Sequence, residues 1–192
     1  GALTRLGHIY YEGRGIERSY EEARKCFATL AKQDRIQGLY QHGRILEHFP
    51  SEENARESVK LYQRVLQQDG THTGAQFLLA MHYQNGNGVQ KNQSLANRYF
   101  QLAADGGHNV AKIRSFLIRH RGDIVDDEEF TQHLHLFQEI TERLRLAKSR
   151  VEPQLEITFD TFSLKDDFNI CTALFTHYKA TKEAEKKPYF DP

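Results

Sequence analysis

AQFLLAMHYQNGNGVQKNQSLANRYFQLAADGGHNVA, residues Ala75 to Ala111, reads as one complete structural repeat. Small or apolar residues stand at helical spacing in its first half (Ala75, Leu79, Ala80, Tyr83). Gly86 and Gly88 then interrupt, and Leu95, Ala96, Tyr99, Phe100, Ala103 and Ala104 resume the period. The pattern predicts helix, glycine turn, helix. It recurs near the start of the chain: Leu6, Gly7, Tyr10, Gly13, Gly15, Ile16, Ala23, Phe27 and Ala31 lie 73 residues before Leu79, Ala80, Tyr83, Gly86, Gly88, Val89, Ala96, Phe100 and Ala104. Half of that offset is a period of about 36, the length of a two-helix unit that buries its apolar face only against its neighbours.

LGHIYYEGRGI, Leu6 to Ile16, followed by Ala23 and Phe27 of a second helix, resembles the Sel-one-like repeat, a relative of the tetratricopeptide repeat that differs in the GxG between its helices. The resemblance covers residues 2 to 148. It implies an all-α fold: a right-handed α-α superhelix, or solenoid, of about four helix-turn-helix repeats at 2–37, 38–74, 75–110 and 111–148, closed by a C-terminal capping helix.

Repeat one has glycines where its chain must turn, and Ser19 stands where it can cap the second helix ahead of Glu21 and Glu22. Repeat two is degenerate. Gly43 and Leu46 keep the Gly and Tyr positions, but His48-Phe49-Pro50-Ser51-Glu52 replaces the GxG; Pro50 forces the break and Ser51 restarts a helix with Val59, Tyr62, Val65 and Leu66. Repeat four keeps register more than identity. Gly122 and Val125 follow Gly86 and Val89 by 36 residues, and Phe130, Leu134, Phe137, Ile140 and Leu144 share one helical face.

Residues 149–162 break the pattern, with alternating Val151, Leu155, Ile157 and Phe159 around Pro153 predicting an extended linker. An amphipathic helix over 163–187 carries Leu164, Phe168, Cys171, Leu174 and Tyr178.

Composition sets the class. Of 192 residues, 39% are hydrophobic and 27% charged, as in globular domains. Lys plus Arg equal Asp plus Glu at 26 each, so no overall basic field favours nucleic acid or an anionic membrane. No apolar run is long enough for a bilayer-spanning helix, and direct membrane insertion is not expected. Gly1 and Ala2 enter directly into a helix, so the chain reads as trimmed from a longer polypeptide and its localisation is open. Cys26 and Cys171 lie far apart and lack the within-repeat pairing that secreted members of the resembled family use, which favours a reducing, cytoplasmic-type compartment. Cys26, beside Phe27, reads as an inert packed thiol.

No catalytic constellation emerges. GxxxxGK[ST], GxSxG and HExxH are all missing, and the GNG and GRG turns follow no strand. His133 and His135 project about 200° apart on a helix, which does not suit a shared metal. Arg121-Gly122-Asp123 spells an adhesion tripeptide, but Gly122 is in register with the turn glycine. The chain is read as a non-enzyme without metal or cofactor.

Function is expected in positions that differ between repeats. In tetratricopeptide-like superhelices the first helix of each repeat lines the concave face. By that resemblance the partner-binding residues are Thr4, His8 and Tyr11; Gln37, Tyr40, Arg44 and Glu47; Phe77, Met81 and Gln84; and Ile113, Leu117 and His120. Phe77, Met81, Ile113 and Leu117 are expected to form a contiguous exposed apolar patch, a feature that usually binds something. The occupant is another protein or peptide, or the chain's own C-terminal helix in or beside the groove; alternatively that helix seals repeat four. Family members act as adaptors. The resulting reading is a protein-interaction scaffold, the alternative a regulatory or substrate-docking segment of a larger enzyme.

Overall fold

The computed structural model describes residues 1–119 continuously, and beyond them the helical residues Glu128, Gln132, His135, Leu136, Gln138 and Glu139. The chain divides into two compact units, Gly1–Ser115 and Phe116–Pro192. Seven helices and no strand occur among the described residues: α1 (Ala2–Glu12), α2 (Tyr20–Ala31), α3 (Ile36–Leu46), α4 (Glu52–Gln68), α5 (Thr73–Asn85), α6 (Gln93–Asp105) and α7 (Asn109–Arg119). Each packs against the next from α1 to α6, the serial contact of an α-solenoid. The rest of the second half of repeat four, including Gly122, Val125 and His133, lies outside the described residues. So do the 149–162 linker, the 163–187 helix and Cys171.

The helix starts and stops follow local chemistry. Ser19 accepts the Glu22 amide at 3.2 Å, Ser51 that of Asn54 at 3.0 Å and Asn92 that of Leu95 at 2.9 Å, each relieving an orphan donor at a helix start. Glu21, Glu22, Glu52 and Glu53 add negative charge at the positive ends of α2 and α4. At the other ends of α1 and α5, Gly13 and Gly86 take the left-handed conformation at φ 72°. That conformation costs other residues about 1–2 kcal/mol.

One aromatic from each second helix anchors a helix pair. Phe27, Tyr62 and Phe100 are at most 1% exposed, and full burial of such a ring stabilises by about 1.5–3 kcal/mol. The facing first helix must be small at the crossing. A Cβ at Gly7 would come within 2.7 Å of the Phe27 ring, and one at Gly43 within 2.6 Å of the Tyr62 ring. In the third pair the small residue is Ala80. Repeat two therefore keeps the helix crossing although its turn chemistry differs.

Helix α5 departs from the expectation of one buried face. Its residues from Ala75 to His82 are all buried. Its apolar residues lie all around the helix, because an inner helix has neighbours on several sides.

Candidate functional site

The expected groove residues are the place to look for recognition, and the structure ties several of them to side chains about one period later. The Tyr11 hydroxyl lies 3.1 Å from His48 Nε2, and Tyr20 stacks on the same imidazole with centroids 4.2 Å apart. Tyr40 meets the ring of His72 at 4.5 Å, and the Arg44 guanidinium lies 5.8 Å from the Tyr40 ring. Phe77 stacks on His108 at 4.4 Å. Arg114 donates to Gln84 Oε1 at 2.6 Å, reaches Met81 Sδ at 2.8 Å and lies over Phe100 at 5.2 Å. His8 instead meets Phe27 of its own repeat edge-on, at 5.4 Å.

These contacts correct the apolar patch. Phe77, Met81 and Ile113 are 2%, 6% and 4% exposed, so they are seam and core residues rather than an exposed cluster. The physical reason is that side chains from farther along the chain cover them, His108 on Phe77 and Arg114 on Met81. Glu47 is likewise withdrawn, its side chain buried against His82. His8, Tyr11, Tyr40, Arg44 and Gln84 are half-buried, Thr4 is half-buried and Gln37 exposed. The Leu117 side chain and His120 lie outside the described residues.

Sequence reading gave no role to His72, His82 or His108, which recur at the contacts between helix pairs. His72 Nδ1 accepts the Ala75 amide at 3.1 Å and His108 Nδ1 accepts the Ala111 amide at 3.2 Å, so two first helices begin on an imidazole that also meets an aromatic ring of the preceding first helix, tilted on Tyr40 and stacked on Phe77. An available signal was separation: the bonded pairs Tyr11–His48, Glu47–His82 and Met81–Arg114 stand 37, 35 and 33 residues apart, close to one period.

The His82 pair is the most polar point inside the stack. Nε2 lies 2.8 Å from Glu47 Oε1 and Nδ1 lies 2.8 Å from the Asn87 carbonyl, two acceptors that favour a doubly protonated ring. Burial disfavours that charge, but the hydrogen bond and charge of Glu47, with the Asn87 carbonyl, prevail and raise the pKa above the ordinary imidazole value. The pair ties the third repeat's turn to the second repeat. With side chains only 1% and 6% exposed, it has no surface on which to meet a substrate.

Cys26 is buried, and desolvation pushes its thiol up, away from the reactive thiolate. Among the described residues no group of three or more His, Cys, Asp or Glu could hold a metal ion. No described helix is long and apolar enough to cross a membrane.

A model of the family described as the Sel1 repeat matches residues 1–34 and 73–108. The chain thus carries two segments that match the Sel1 repeat. The intervening stretch, unmatched by that model, holds the α3–α4 pair with its altered turn. Among solved structures, the chain is similar to a Sel1 repeat protein from Oxalobacter formigenes at 24% identity, over 72% of this chain and 58% of that one, with a TM-score of 0.54. It is also similar to c5321, a protective antigen present in uropathogenic Escherichia coli strains that displays an SLR fold: 19% identity, 99% of this chain, 40% of that one, TM-score 0.59. The chain thus spans less than two thirds of either structure, and both likenesses concern the fold. No curated protein matches the sequence. Sel1 repeats generally serve as protein-interaction modules and are typically non-catalytic.

Proposed function

We propose that this chain is a non-catalytic adaptor that binds a peptide or helix of another protein along the first-helix side of its repeats. The observation that carries the reading is the half-buried set His8, Tyr11, Tyr40, Arg44 and Gln84. These side chains differ between repeats and are held by ring contacts or hydrogen bonds to their neighbours. Tyr and Arg dominate the energetics of many protein interfaces, and side chains already immobilised lose less entropy on binding. Phe77, Met81, Ile113 and Glu47 hold the frame rather than touch the partner.

The test is an affinity capture from lysate with the chain beside a Tyr40→Ala/Arg44→Glu variant, after circular dichroism shows equal helicity. A protein retained by the parent and lost by the variant supports recognition through this side. Equal retention by both would move the interface to the opposite face or to residues beyond 119.

A further inference from the structure

One position of the repeat changes character where repeats two and three meet. His82 stands in register with Ile9, Ile45 and Ile118 of the other repeats, and Ile45 is fully buried. Its partner Glu47 stands in register with Tyr11, Gln84 and His120. An isoleucine at position 82 would avoid the desolvation of two charges, and apolar replacement of a buried ion pair is often neutral or stabilising. The repeat architecture therefore does not require the pair.

The junction it occupies is the one least secured by other packing. Of the serial contacts from α1 to α6, that between α4 and α5, where repeat two meets repeat three, is the least extensive. The His82–Glu47 link crosses this junction, from the interior of α5 to the residue that ends α3. Three groups face the imidazole: Glu47 from α3, the Tyr62 ring of α4 at 5.8 Å, and the Asn87 carbonyl in the turn before α6. Among the described residues, Glu47 brings the charge that acts on it.

Both ring nitrogens point at acceptors 2.8 Å away, and both side chains are sealed from water. An imidazolium donates to both oxygens. A neutral ring has a single N–H, so its other nitrogen turns a lone pair toward an oxygen. With the proton kept on Nδ1 for Asn87, Nε2 opposes the Glu47 carboxylate, which loses its donor where water cannot replace it.

We propose that His82 and Glu47 form a proton-operated latch: a doubly protonated His82 holds repeats two and three closed, and loss of one ring proton opens the junction. Tyr40 and Arg44 precede the latch and Gln84 follows it, so opening alters the spacing of the groups proposed above to meet a partner. The raised pKa of His82 places the release above the ordinary imidazole value of about 6.5. His42, whose pKa burial lowers, titrates on the other side of that value.

The test is a titration of the full chain, isotope-labelled at its histidines, from about pH 6 to about pH 9. The His82 ring nitrogens are followed by NMR, and amide hydrogen exchange, corrected for its intrinsic pH dependence, is measured in parallel. His82 should pass from two ring protons to one. Over the same range, protection at residues 44–49 and 82–88 should fall roughly tenfold or more, while that around the Gly7–Phe27 crossing stays constant. The variant His82→Ile/Glu47→Gln, which installs the side chains found in register at Ile45 and Gln84, should show constant protection throughout. A titration of His82 without loss of protection, a ring whose proton count never changes, or the same loss in the double variant would overturn the proposal. The first two outcomes are read on the parent alone, so a double variant that fails to fold does not shelter it. Both readouts are taken on the free chain, and the adaptor reading and the latch can each fail alone.

Discussion

Repeats one and three share nine positions at a constant offset, yet only one of them is enclosed. Leu6 is 40% exposed and Leu79 fully buried; Ile9 is half-buried while His82, at the same position, is 2% exposed and bonded to Glu47. The motif therefore specifies the helix pair, and the neighbouring repeat decides what each outer position must be. Where α4 covers the helix, a polar residue is tolerated only with a partner built into the preceding repeat.

The largest expected difference lies at that partner. Removing one member of a buried ion pair leaves an uncompensated charge, so Glu47→Ala should cost about 3–5 kcal/mol in urea unfolding at pH 6, whereas Ile9→Ala should cost far less. The pH dependence has a definite sign. Because the folded pKa of His82 is raised, its contribution is complete below the ordinary imidazole value and is lost as pH rises through the folded value. His42, whose pKa burial lowers, runs the other way and costs stability as pH falls. The diagnostic is therefore the difference between parent and Glu47→Gln across pH 5–9. An unchanged difference would remove His82 as its source.

Next comes the leucine pair. Leu79→Ala should cost about 3 kcal/mol as a core truncation, and Leu6→Ala about 1 kcal/mol or less, because a partly exposed site leaves no cavity. Hydrogen exchange should place the Leu79→Ala effect in both α4 and α5. Equal costs at the two positions would mean that the outer side of α1 is covered in solution.

How far the sequence could be read follows from this contrast. The helix pairs and the turns were legible because they arise within one repeat, where spacing and glycine geometry act over a few residues. Ser19 and Ser51 were legible as caps for the same reason. The seam was not. Phe77 and Met81 stand at positions occupied by Thr4 and His8 in repeat one, and nothing local says that His108 and Arg114, about one period later, will cover them. His72 and His108 gave no local signal either, because the rings they meet stand about one period earlier. Helix amphipathicity also misled at α5, whose neighbours surround it.

The turn glycines should give a smaller separation. Gly15→Ala and Gly88→Ala each incur the left-handed penalty of about 1–2 kcal/mol. At Gly88 the methyl also meets the Ala55 backbone, and that overpacking should add about 1–3 kcal/mol. Thermal unfolding of the two variants measures the difference directly. Matching losses would show that α4 can retreat from the turn without consequence.

The smallest effect is a predicted equality. Ser19 and Asn92 occupy the same position, 73 residues apart, and each caps its second helix by accepting the amide three residues ahead. A cap depends on its own first turn, not on whether another repeat is stacked behind it. Ser19→Ala and Asn92→Ala should therefore cost about 1 kcal/mol each, measured by chemical denaturation, despite the difference in enclosure between their repeats. Should Asn92→Ala cost several times more, capping energy would depend on stacking, and the division into motif-determined pairs and neighbour-determined outer sides would fail at its simplest point.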